Sequence, residues 1–197
     1  MTENGYLIVA SVIGGLLAAG TGWLLDWQRQ RAILQRHTVL FLTGIIDDLQ
    51  HSLTLYDKIE EEWGKTKTVW FSTLNELRES RQTYFAHKDL IVLINNADTR
   101  KRLFRYYLKT NELVNSLEYQ QQRLYEIQRR FRELHNNISL NQPGLNQDQV
   151  ADLVLNIMKD ENSEYTHTQA TLPATVEKLK SFKPYCLELI NELKTQQ

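Results

Sequence analysis

A run of twenty residues without a charge, YLIVASVIGGLLAAGTGWLL from Tyr6 to Leu25, constrains this chain more than any other feature. As a helix rising about 1.5 Å per residue it spans roughly 30 Å, the thickness of a bilayer's hydrocarbon core. Large apolar residues fall on every face, so the segment lacks the polar stripe of a surface helix. Its nine Leu, Ile and Val residues contribute about 3–5 kcal/mol toward insertion, less what the glycines take back. Tyr6, Trp23 and Trp27 sit at the two ends, where aromatic rings favour the headgroup level. The leader Met-Thr-Glu-Asn-Gly carries no Lys or Arg, unlike the basic start of a cleaved signal peptide. The expectation is an uncleaved anchor over 6–25, a short extracytoplasmic segment 1–5, and a soluble domain 26–197.

Flanking charge sets the expected orientation. Arg29, Arg31 and Arg36 follow the apolar run within about a dozen residues, and no basic residue precedes it. The positive-inside bias then leaves most of the chain in the cytoplasm. Within the anchor, Ala10, Gly14, Ala18 and Gly22 recur every four residues, with Ser11, Gly15 and Ala19 beside them. Such a small-residue face lets helix backbones approach closely in lipid, which points to a homo-oligomer or a membrane-protein partner.

Beyond the anchor the chain reads as all-α. Prolines occur only at 143, 173 and 184, and Leu, Glu, Gln, Lys and Arg dominate, all good helix formers. The spacing of Leu42, Ile45, Leu49, Leu53, Tyr56, Ile59 and Trp63 predicts that the anchor runs on as one helix, ending near Gly64. A second helix is expected over 68–86, with Trp70, Leu74, Leu77, Arg81 and Tyr84 on one face. The longest is expected over 99–136, its seam including Phe104, Tyr107, Val114, Leu117 and Leu124, with Asn111 and Gln121 as register-fixing polar positions. Two long stripes suggest an elongated antiparallel helical bundle or coiled-coil hairpin. Asn141-Gln142-Pro143-Gly144 is a turn, followed by a short helix capped by Asn146. Residues 159–170 read as a polar loop. The last helix, 172–194, carries Pro173 in its first turn and a kink at Pro184.

Chemistry is sparse. Lone Cys186 excludes an intrachain disulfide, and its place on an apolar stripe suits a small buried hydrophobe. Asp47, Asp48 and His51 share a helical face, but a di-iron bundle needs paired Glu-x-x-His motifs. Only Glu164-Tyr-Thr-His167 has that spacing. No cofactor, metal or enzymatic activity is expected. After Glu3 the chain holds equal numbers of acidic and basic residues, which argues against nucleic acid as a partner. Arg100, Lys101, Arg102, Arg105 and Lys109 nevertheless cluster at the start of the longest helix. They form a possible anionic-partner patch, for lipid headgroups or for Glu60-Glu61-Glu62 of a neighbouring helix. The expected function is a non-enzymatic, single-pass scaffold binding a protein partner at the membrane surface. The alternatives are a sensor signalling through the membrane helix and an oligomeric membrane effector.

Overall fold

The structure, a computed structural model, describes residues 3–196, with the side chains of residues 20–196. It is an all-helical bundle. The elements are α1 (Glu3–Thr66), α2 (Phe71–Glu79), α3 (Gln82–Ala86), a 3-10 segment (Lys88–Leu93), α4 (Ala97–Asn141), α5 (Gln147–Ile157), α6 (Lys159–Lys180) and α7 (Phe182–Lys194). Among the described residues no helix is long and apolar enough to cross a membrane. Most of the expected span 6–25 lies outside the described side chains, including Ala10, Ser11, Gly14, Gly15, Ala18 and Ala19. Gly22 is described, and a side chain there would meet nothing within 4 Å.

α1, not α4, is the longest helix, with 64 residues. Its stripe works as expected from Phe41 onward, where Leu42, Ile45, Leu49, Tyr56 and Ile59 are all buried. The helix runs two residues past Gly64 and closes when Lys67 takes a left-handed φ of 55°, its N–H bonding the Trp63 carbonyl at 3.1 Å. Gly44 marks the closest approach of another element. A methyl there would stand 2.8 Å from Thr83 Cγ2, and Thr83 cannot swing aside because Asp48 holds it. Asp48 Oδ2 accepts from the Thr83 backbone N–H (3.1 Å) and Oδ1 from its hydroxyl (3.0 Å).

The expected hairpin is replaced by a three-rod arrangement. Tyr56 meets Tyr106 and the end of α1 meets Gln121, so α1 and α4 run parallel. The segment 67–96 carries the chain back between them. Leu49 meets Cys186, whereas Glu60 meets Lys180, so α6 and α7 return antiparallel to both. α4 packs mainly on α6 and α7, and α1 mainly on α7.

Three boundaries differ from the sequence expectation, each for a local reason. The helix expected over 68–86 breaks at Ser80–Arg81. There the Ser80 hydroxyl bonds back to the Leu77 carbonyl (3.0 Å) and reaches Ser52 Oγ (3.0 Å), an alternative to the helical ladder. The expected loop 159–170 is helical. Its polar face is answered by α4: Arg123 bonds Glu164 (2.7 Å), Arg130 bonds Glu161 (2.5 Å) and Gln128 bonds the Tyr165 hydroxyl (2.9 Å). Asp160 and Glu161 also suit the helix N-terminus. The expected last helix is two helices. Pro184 excludes the carbonyl four residues back and is third in α7, where its missing N–H is harmless. Pro173 therefore lies inside α6 rather than in a first turn.

A main core joins α1, α2, α4, α6 and α7. A second, smaller core of Ile127, Val150, Val154 and Met158 closes the far end of α4 against α5 and α6. Asn146 caps α5 in a full capping box with Gln149 (2.9 and 3.0 Å).

Candidate functional site

A cleft opens in the gap between these two cores. α1 stops at Thr66 while α4 and α6 continue, leaving a groove of about 500 Å³. Its walls are Trp63, Phe71, Tyr125, Tyr165, Leu124 and Leu172. Gln121, Gln128 and Gln169 supply amides and Lys67 a cation, and no carboxylate lines the groove. The Lys67 ammonium stands 6.0 Å from the Trp63 ring centroid. Trp70, beside Phe71, is 57% exposed, whereas it was expected on the buried face of its helix.

Two buried polar side chains fix the groove's lip. Glu62 accepts the Trp70 N–H at 2.9 Å and the Thr73 hydroxyl at 2.6 Å, which caps α2 with a carboxylate at its positive end. Gln121 Oε1 accepts the Val69 N–H at 3.0 Å. Because the peptide N–H can only donate, that bond sets which end of the amide faces Val69. Gln121 Nε2 is buried without a partner. An aromatic, concave, largely apolar surface with a few amides suits capture of a hydrophobic segment. It offers no acid–base pair.

A second unusual feature lies in the main core. Arg81 has no exposed surface. Its Nε–H bonds the Leu77 carbonyl at 2.7 Å, but Nη1 and Nη2 have no partner. Around it stand Tyr56, Tyr106 and Tyr107. The first two share a 3.0 Å hydroxyl–hydroxyl bond, and the Tyr107 hydroxyl is unpartnered. Tyr84 stacks on Tyr107 with ring centroids 4.1 Å apart. Burial raises all three tyrosines of this core, and burial lowers Arg81. Burial also pushes the Cys186 thiol up to about 11, and its sulfur donates to the Leu49 carbonyl at 3.3 Å. A thiol so placed is a poor nucleophile at neutral pH.

The expected anionic-partner patch is dispersed. Arg102 pairs with Glu188 (2.7 Å) and with Glu192, and lies 4.9 Å from the Tyr185 ring centroid. Arg100 caps the preceding turn through the Ile94 and Asn95 carbonyls. Lys101 and Lys109 pair locally with Asp98 (3.8 Å) and Glu112 (2.7 Å). Arg105 and Lys109 border a cleft of about 290 Å³ beside Phe182 and Tyr185. The acidic run is not the partner of this patch: Glu60 pairs with Lys180 and Glu61 with Lys65, while Glu62 caps α2. Phe104, expected in the seam, is 55% exposed, and Leu103 and Tyr106 take its place. Among the described residues no three His, Cys, Asp or Glu side chains are grouped to hold a metal. Asp48 instead fastens α3, and Glu164 binds Arg123.

Sequence reasoning missed the groove because its walls come from four separate helices. The one local signal was the aromatic pairing of Trp63 with Trp70-Phe71 around a short polar break. Comparison with protein-family profiles, with curated proteins and with solved structures gives no match to this chain.

Proposed function

We propose that the protein is a non-enzymatic, membrane-tethered interaction module. Residues 6–25 hold it in the bilayer, and the groove at the far end of α1 receives an apolar, aromatic-bearing segment of a protein partner. The observation that carries this reading is the continuity of α1 from Glu3 to Thr66. One rod contains both the apolar run and Trp63 of the groove wall, nearly 60 Å from Leu25 at about 1.5 Å per residue. Arg29, Arg31 and Arg36 lie on the bundle side of that run, and the positive-inside bias supports a cytoplasmic bundle. Tethering raises the effective concentration of the groove for other membrane-bound proteins.

A sensor is the second reading, favoured by the same continuity. An occupant of the groove touches Trp63 on the helix that enters the membrane, so a small shift there is felt along a rigid element.

Photocrosslinking in intact cells tests the interaction reading. A benzophenone amino acid at Phe71 or Tyr125 is expected to give one discrete adduct that Trp63→Ala reduces. The control is Tyr119, which is 66% exposed and outside the groove. Equal labelling at Tyr119 would overturn the groove as the contact site.

A further inference from the structure

Between the apolar run and the bundle, α1 carries a bare stalk. Trp23, Trp27, Ile33 and Leu34 are 70%, 48%, 49% and 55% exposed; the bundle begins at His37 and Leu40, which border a cleft with His87 and Leu90, and Phe41 enters the core at 4% exposure. So long a row of exposed large apolar residues marks an interaction surface. If 6–25 spans the bilayer, Ile33 to Leu40 stand about 12–22 Å beyond it on an upright helix, out of reach of lipid tails.

We propose that this stalk pairs with the stalk of a second copy of the same chain as a parallel coiled coil. Trp23, Trp27, Gln30, Leu34 and His37 follow one another in steps of four and three, the a/d spacing of such a seam. Trp27 and Leu34 take position a; the next residue of that row, Phe41, is already buried in the bundle's own core, so the seam ends before it. Three further features select an identical, parallel partner. Asp26 falls at position g and Arg31 at the following e, five residues on, where g of one helix faces e of its parallel neighbour with opposite charge. Arg29 and Arg36 both fall at c, away from the seam, so the remaining cations do not oppose one another. Gln30 sits at d, where an amide in a parallel homodimer faces its own copy and can both donate and accept. Asp26 and Arg31 are not committed to other charges in the single chain: Asp26 accepts from Gln30 at 2.9 Å and Arg31 lies 5.4 Å from the Trp27 centroid. The small-residue positions of the anchor are not part of this seam, since Gly22 is turned about 100° from Trp23.

The test is cysteine scanning of the full chain in cells, with oxidative crosslinking; native Cys186 is fully buried and serves as the blank. Disulfide dimers are expected at Trp27→Cys and Leu34→Cys alike, and weakly at Arg29→Cys, Ala32→Cys and Arg36→Cys. With Leu34→Cys as reporter, Asp26→Arg is expected to cut dimer yield about fivefold, and adding Arg31→Asp is expected to restore it. No dimer at any position would overturn the proposal. So would a maximum on Leu25, Ala32 and Val39, which form the opposite row, or crosslinking at 34 without 27, the pattern of an antiparallel crossing. The readout is independent of lipid extraction, so loss of the tether reading and loss of this one are separately visible.

Discussion

Arg81 carries a prediction whose sign runs against intuition: removing this charged side chain stabilises the fold. The guanidinium is wholly buried, with one hydrogen bond through Nε and none through Nη1 or Nη2. Taking an ion out of water costs several kcal/mol even after relaxation, whereas one bond from a charged donor returns about 1.5–3 kcal/mol. The balance is a deficit of about 1–3 kcal/mol. Arg81→Met keeps an unbranched apolar stem of similar reach and drops the charge. The Leu77 carbonyl is not orphaned, because Ser80 Oγ also donates to it at 3.0 Å. The variant should therefore gain about 1–3 kcal/mol, which at about 2–4 °C per kcal/mol for a chain of this size raises Tm by about 2–12 °C. Arg81→Lys, with a more strongly hydrated charge, should lose stability. Urea unfolding followed by near-ultraviolet circular dichroism in detergent measures both, provided the slope with urea is unchanged. A fall in Tm for Arg81→Met would refute the reasoning and mean that the guanidinium is compensated in the folded state.

Three further outcomes follow from the packing. Gly44→Ala gains about 1 kcal/mol of helix propensity but forces a methyl against Thr83 Cγ2. It should be net destabilising by about 1–2 kcal/mol, and Thr83→Ser, which deletes that methyl and keeps the hydroxyl for Asp48, should recover most of the loss in the double variant. Tyr56, Tyr106 and Tyr107 have raised folded-state pKa values through burial, so the stability they contribute is fully present below pH ~10 and is lost as pH rises further. Ultraviolet titration should show these three ionising only with cooperative unfolding; their smooth titration with native dichroism retained would contradict this. Glu161→Gln with Glu164→Gln breaks the ion pairs that hold the polar half of α6 to Arg130 and Arg123 of α4 and should speed amide exchange over 159–168 about threefold or more, as measured by mass spectrometry.

How far the sequence disclosed this fold depends on the kind of signal each element carried. The stripe from Leu42 to Ile59 and the Asn146 capping box were legible because both are local: a period of 3.6 and a spacing of three. The start of α6 was not. Its stabilising partners are Arg123, Gln128 and Arg130 on another helix, and apolar periodicity is blind to an element held by charge pairs. The parallel course of α1 and α4 was hidden for a similar reason, since two equal stripes say nothing about direction. It is set by the return segment 67–96 and by single contacts such as Tyr56 with Tyr106. Pro184 was correctly expected to disturb its helix, but the disturbance is a division, which moved Pro173 into an interior. Sequence proximity groups the five cations of the basic cluster, but the helix turns Arg102 toward α7 and Arg100 toward the preceding turn.

Tethering requires the opening apolar run to lodge in lipid with the bundle attached to it. Membranes from cells expressing the full chain, washed in alkaline carbonate and compared with a chain beginning at residue 26, measure this directly. The full chain should stay with the membrane pellet while the shortened one appears in the wash; release of the full chain into the wash would contradict it.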